Sequence, residues 1–299
     1  MKSLLIFGFG YCAKALAKDL LAQGWKIEAT TRNADKAEAM RAMGVVPHIW
    51  PGTDMRAALA AASHVLVSAG PDAAGDPVLN ALSDAFANAT HLRWLGYLST
   101  TGVYGDAAGG WVDEDTPRLA TSTRGQLRVD AEDRWLALHQ SCGLAVHIFR
   151  LAGIYGPGRG PFAKLRAGTA RRIIKPNQVF SRIHVDDIAQ ILAASIAQPN
   201  PGRAYNVCDD EPAPPQDVIA AAARLLGLNP PPEESFETAQ MGAMAKSFYG
   251  ESKRVSNARI KAELGVELLH PTYMAGLRAV LAAEGNSSPV TPHSDSSSR

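Results

Sequence analysis

From residue 4 to residue 151, short apolar runs alternate with longer, alanine-rich stretches in which apolar positions recur every three or four residues. Short apolar runs suit buried strands and the 3.6-residue period suits amphipathic helices, so the alternation predicts βα units feeding a parallel sheet. Strands are predicted over 4–7, 26–30, 45–50, 64–68, 94–99 and 145–151, and helices over 11–23, 35–43, 55–62, 77–89 and 129–140. The first helix gathers Ala13, Leu16, Ala17, Leu20 and Leu21 on one face, with Gly24 as its stop. Such repetition predicts a Rossmann-type, doubly wound α/β fold.

Beyond residue 155 the texture changes. Gly156-Pro157-Gly158-Arg159-Gly160-Pro161 is followed by a basic segment through Lys175, a strand near 179–184, prolines at 199, 201, 212, 214 and 215, a helix over 218–226 and a second proline cluster at 230–232. The expected organisation is a dinucleotide-binding domain over 1–155, joined by strands from about 176–208, and a small α/β substrate lobe over 156–283. The polar stretch 284–299 cannot bury a core and is predicted to be disordered.

Composition narrows the partners. With 46% hydrophobic residues among 299, the chain can bury one large core. Thirty basic side chains against 29 acidic ones leave a charge of +1, so no net field draws it to nucleic acid or anionic lipid. The run 166–175 is basic but holds no aromatic to stack a base, which fits an anionic substrate, phosphate or carboxylate, better than a nucleic-acid groove. No stretch reaches the roughly 18 to 20 apolar residues that cross a bilayer. Lys2, the apolar run 4–9 and Ala15-Leu16-Ala17 can be read as a secretory signal, but Gly8 and Gly10 interrupt it and helical periodicity runs through the would-be cleavage site. Cys12, Cys142 and Cys208 are scattered and odd in number, so a reducing cytoplasm is the expected compartment.

Gly8-Phe9-Gly10-Tyr11-Cys12-Ala13 directly follows a predicted strand and opens a predicted helix, the setting in which a GxGxxG/A match is informative. Gly8 suits the tight turn, Gly10 a close approach of backbone to a diphosphate, and Ala13 the packing of helix on sheet. Strand two ends Thr30-Thr31-Arg32 with no acid there, which favours the 2′-phosphate of NADP over the free ribose of NAD; the lesser alternative is that Arg32 is an ordinary solvated arginine. There is no GxSxG elbow, GxxxxGK[ST] loop or HExxH helix, and the eight histidines show no metal-ligand spacing, so no metal is expected.

Four further segments, Ser99-Thr100-Thr101-Gly102-Val103-Tyr104-Gly105, 149–158 (FRLAGIYGPG), 183–189 (IHVDDIA) and Tyr205-Asn206-Val207, together with the glycine loop, resemble the extended short-chain dehydrogenase/reductase family of nucleotide-sugar epimerases, dehydratases and their relatives. The resemblance spans roughly residues 1–280. It implies a Ser/Thr hydroxyl, a tyrosine acid/base and, four residues later, a lysine that lowers the tyrosine pKa and holds the nicotinamide ribose. Thr100 falls on the hydroxyl position. Aligned on Ala131-Glu132, the tyrosine position holds Arg124 and the lysine position Arg128. Arginine keeps its proton at any working pH, so Arg124 cannot relay one. Together with Trp111-Val112-Asp113-Glu114 and the spacing from Arg128 through Glu132 to Trp135, this most resembles an atypical, YeeZ-type branch that lacks the tyrosine.

The expected cofactor contacts are Gly8, Phe9, Gly10, Tyr11, Cys12, Arg32, Asp54, Ala69, Gly70, Ser99, Ala152 and Ile154, with NADP favoured and NAD the alternative. Thr100, Tyr104 and Arg128 are the expected catalytic set. Tyr104 and Tyr155 either reach the nicotinamide edge or fill the wall between the lobes. His184 and Asp187 are expected to tie the lobes together, His147 to sit satisfied in its strand, and Asp113 and Glu114 to lie on a loop over the site, facing substrate or solvent. Two functions follow: an NAD(P)-linked oxidoreductase or epimerase/dehydratase-like enzyme on a small polar substrate, or a non-catalytic dinucleotide-binding or redox-sensing protein. Either is compatible with a monomer, or with a homodimer formed through the 77–89 and 129–140 helices.

Overall fold

The computed structural model describes residues 2–242, 246 and 248–285. Seven parallel strands form the central sheet: β1 (Ser3–Phe7), β2 (Lys26–Thr31), β3 (Val46–Ile49), β4 (His64–Val67), β5 (Trp94–Thr100), β7 (Val146–Leu151) and β11 (Ala204–Val207), in the order β11-β7-β5-β4-β1-β2-β3. Strand order reverses between β1 and β4, the switch point at which such sheets hold ligands beyond their carboxyl ends. β4 and β7 are buried at every position, as expected of strands covered on both faces.

Local signals set most of the helices. α1 (Tyr11–Ala22) buries Ala13, Leu16, Ala17 and Leu20. Asn33 accepts hydrogen bonds from the Asp35 and Lys36 N–H groups to start α2 (Ala34–Ala42). α3 (Arg56–Ala61) is short, and α4 (Pro77–Ala87) opens on the Asp76 carboxylate with proline in its first turn. One apolar core lies under α1 and α7 (Val185–Ala197), and a second under α3, α4 and α5 (Thr123–Cys142). In the second, Phe86 of α4 meets Trp135 of α5 edge-on at 5.0 Å, and the Trp135 indole donates to Asp76.

α5 begins at Thr123, well before the predicted 129. Its polar first turns carry no apolar stripe, but Ser122 caps the Gly125 N–H. Gly125 itself lies against Gly102, where an added Cβ would come within 2.8 Å of the carbonyl oxygen.

The rest is built from pieces too short for periodicity to mark. β6 (Trp111–Val112) pairs with β13 (Arg254–Val255), β8 (Gly153–Tyr155) with β10 (Arg182–His184), and β9 (Arg172–Ile174) with β12 (Glu233–Ser235), all in parallel. The strand expected over 179–184 is thus only its last three residues. α6 (Phe162–Arg166), α8 (Pro215–Leu225) and α10 (Tyr273–Gly285) share a third apolar cluster, and α9 (Ala258–Leu264) packs on the main core. The predicted disorder from 284 needs correcting at its start, since Glu284 and Gly285 belong to α10 and Glu284 pairs with Arg166 at 2.7 Å. Residues 286–299 lie outside the described residues.

Candidate functional site

The loop between β1 and α1 is held from both sides. The Gly8 N–H donates to Thr30 Oγ1 at 2.9 Å and the Phe9 N–H to the Thr30 carbonyl at 3.1 Å, tying the turn to β2. Gly8 has φ +91°, and a Cβ there would lie 2.9 Å from the Ala69 backbone nitrogen, so turn and close approach both require glycine. At Gly10 the opposite holds: a Cβ would meet nothing within 4 Å. Gly10 opens α1 with no side-chain cap, so the first N–H groups of the helix have no side-chain acceptor beside the open space at Gly10, an arrangement that a diphosphate fits. The Tyr11 hydroxyl donates to the Pro157 carbonyl at 2.9 Å, and burial raises the Cys12 thiol to about 11, so Tyr11 and Cys12 offer backbone rather than side chains.

The remaining expected cofactor residues follow the carboxyl ends of the strands. Exposed Arg32 follows β2, and Asp54 follows β3 in a cleft of about 260 Å³ shared with Trp50, Met55 and Leu82. Ala69 and Gly70 follow β4, Ser99 and Thr100 end β5, and Ala152 and Ile154 follow β7. One edge of the sheet therefore carries all twelve positions.

Across that edge, Arg128 reaches over from α5. Its guanidinium donates to the Leu98 carbonyl at 2.5 Å and the Tyr97 hydroxyl at 3.2 Å, and a Cβ on Gly70 would lie 2.8 Å from Nη2. A cation is thus fixed between the β4 and β5 loops. Thr100 Oγ1 accepts from the Gly102 N–H at 3.1 Å, which leaves the hydroxyl proton free to donate. Arg124 is exposed in the first turn of α5.

Tyr104 takes the packing alternative. It is buried, its hydroxyl donates to Asn206 Oδ1 at 2.7 Å and accepts from Arg150 at 2.9 Å, and burial pushes its pKa up to about 12. It belongs to a network that the sequence reading overlooked. Glu132, fully buried on α5, accepts from Ser99 at 2.5 Å, from Arg150 at 2.9 Å and from Arg118 at 3.1 Å. Ser99 is therefore bound to Glu132 through its side chain. The overlooked signal was Arg150 itself, a full charge within the wholly buried strand VHIFRL, which has to find a partner.

Elsewhere several expectations change. Asp113 folds back on its own turn, accepting from the Asp115 and Thr116 N–H groups, whereas Glu114 points inward and accepts from the Asn206 N–H at 2.7 Å. Neither forms a carboxylate pair over the site. In the basic run, Arg171 pairs with Glu234, Arg172 with Glu233 at 2.8 Å, and Arg166 with Glu284, so these charges are neutralised within the lobe. Tyr155 is buried against Gly276 and stands edge-on to His184. The Asp187 carboxylate accepts from the Leu269 N–H at 2.6 Å and the His270 N–H at 3.2 Å, a tie of the expected kind. His147 is satisfied in its strand, between the Leu95 carbonyl and the Asn200 N–H. No helix among the described residues is long and apolar enough to cross a membrane.

No family model matches the chain. It is 31% identical to Protein YeeZ of Escherichia coli K12 over 289 residues, 91% of this chain and 97% of that one. A conserved protein of unknown function from Silicibacter pomeroyi superposes with TM-score 0.91 at 57% identity, covering 95% of this chain and 99% of that one. The fold is shared at low identity with dTDP-glucose 4,6-dehydratase of Bacillus anthracis in complex with NAD (TM-score 0.76, 16% identity, 96% and 97% covered). It is shared likewise with human epimerase family protein SDR39U1 with NADPH (0.71, 17%, 94% and 99%). On the near full-length match, the chain belongs to the family of Protein YeeZ, and its Rossmann-like sheet is the fold it shares with the epimerase/dehydratase neighbours.

Proposed function

We propose that this protein binds NADP(H) along the carboxyl edge of its sheet and uses it to oxidise or reduce a small polar substrate. The open cradle above Gly10, between the Thr30-anchored Gly8 turn and the Arg128 guanidinium over Gly70, carries this reading. Helix-start N–H groups from Tyr11 onward would hold the diphosphate, Arg128 the nicotinamide ribose, and Arg32 a 2′-phosphate. When bound, the nicotinamide supplies or accepts a hydride. The chain's own part is to orient and polarise a substrate oxygen: Thr100 can donate a hydrogen bond to it, while Arg124 and Arg128 contribute positive charge. Tyr104, locked between Asn206 and Arg150, supports this edge from beneath.

The test is a screen of carbonyl compounds and nucleotide sugars for loss of NADPH absorbance. Turnover by the wild type, lowered at least about tenfold in Thr100→Val, is expected, the size of losing one well-placed hydrogen bond. Tight NADPH binding with no turnover of any substrate would instead favour the dinucleotide-binding role, which the arginine at position 124 supports.

Arg32 supplies a separate expectation. Its guanidinium follows β2 with no acid beside it in sequence, so Arg32→Ala should weaken NADPH roughly ten- to a hundredfold by losing charge-assisted hydrogen bonds, and leave NADH unchanged. Dissociation constants for both nucleotides decide it, and equal losses for the two would remove the 2′-phosphate assignment.

A further inference from the structure

His184 ends β10, Asp186 lies in the first turn of α7, and His270 precedes α10, so the sequence separates groups that the fold brings together. One ligand atom from each lies within 4.8 Å of the other two. Asp186 Oδ2 stands 3.5 Å from His184 Nδ1 and 3.7 Å from His270 Nε2, and the two imidazole rings are 4.1 Å apart, centre to centre. Metal–ligand bonds of about 2.0–2.2 Å in a tetrahedral site imply ligand–ligand edges of about 3.4 Å. Two edges are already within a few tenths of an ångström of that value.

We propose that His184, Asp186 and His270 bind one divalent transition ion of the zinc class, with water as fourth ligand. Two imidazole nitrogens and one carboxylate oxygen are a borderline donor set; magnesium and calcium take oxygen ligands. His184 is 1% exposed and its Nε2 has no hydrogen-bond partner, so the ring is held in place by packing and not by a second polar bond. The ion would take Nδ1, displacing only the long 3.2 Å bond from the Asp186 N–H. His270 is presented by its own backbone, pinned to Asp187 together with Leu269. Asp186, with 56% of its side chain exposed, gives entry from solvent. Bound there, the ion would fasten the segment at 269–270 to the start of α7, independently of any dinucleotide.

Full-length protein stripped with a chelator, exposed to zinc chloride and desalted should retain one zinc per chain by elemental analysis. With cobalt(II) it should show the visible bands of a four-coordinate ion. His270→Ala and Asp186→Asn should each weaken apparent zinc affinity by at least about tenfold, the smaller loss typical of outer-shell partners of metal sites. Circular dichroism and NADPH binding check that each variant folds; exposed Asp186 can be changed without opening a cavity if His270→Ala proves unstable. Wild type that retains no zinc, or a folded variant that keeps wild-type affinity, overturns the site.

Discussion

Gly10→Glu should lose NADPH affinity by at least about 100-fold, roughly 2.7 kcal/mol, while the protein stays folded. A side chain at this position starts in open space, so it strains nothing nearby. Its carboxylate would then enter the cradle at the start of α1 and place its own negative charge where the diphosphate's would go. Replacing glycine as the helix-capping residue costs a few tenths to about 1 kcal/mol, so Tm should fall by no more than a few degrees. Gly8→Ala is the informative contrast. With φ at +91° and the Ala69 backbone 2.9 Å away, even one methyl group there must displace the β4 loop, and stability should fall along with binding. Fluorescence titration with NADPH and a thermal melt separate the two outcomes. A folded Gly10→Glu protein that binds NADPH like the wild type would refute the cradle.

These contrasts also mark what is legible in the chain before it folds. The glycine loop is local: strand, turn and helix start lie within about a dozen residues, and each residue's role follows from its neighbours in sequence. Six of the seven sheet strands were legible for a similar reason, as short apolar runs between amphipathic helices whose period registers over three turns, whereas β11 at the sheet's edge was not among them. β6, β8, β9, β10, β12 and β13 span two or three residues each and leave no period to read. The polar start of α5 was missed because its helix is set by Ser122 and by contact with Gly102, not by an apolar stripe. Pairings across long separations were out of reach, as with Glu114 and the Asn206 N–H or Arg171 and Glu234. The basic run therefore looked like an anion site, although its counter-charges come from Glu233, Glu234 and Glu284. Arg150 is the exception, since a charge within a buried strand announces a partner without saying which one it is.

That partner makes Arg150→Met the substitution with the largest expected cost to stability. Methionine preserves much of the length and packing of the side chain, so the loss isolates charge and hydrogen bonding. Glu132, with no exposed surface, would keep Ser99 and Arg118 but lose the guanidinium that meets it through three bonds of 2.9–3.2 Å. The Tyr104 hydroxyl would lose its donor in the same step. Leaving a buried charge wholly uncompensated costs about 3–5 kcal/mol; with Arg118 still paired to Glu132 the cost should be about 3 kcal/mol, which for a chain of this size lowers Tm by roughly 10 °C. Arg56→Ala, at the exposed Arg56–Asp84 pair, should leave Tm unchanged within error. A second comparison tests the cause: if the cost is an uncompensated buried carboxylate, Arg150→Met combined with Glu132→Leu should be no less stable than Arg150→Met alone. A double variant that loses a further increment would show that Glu132 stabilises the fold chiefly through Ser99 and Arg118. The network ends at Ser99, next to Thr100, so NADPH affinity should weaken in Arg150→Met even at temperatures where the protein is fully folded.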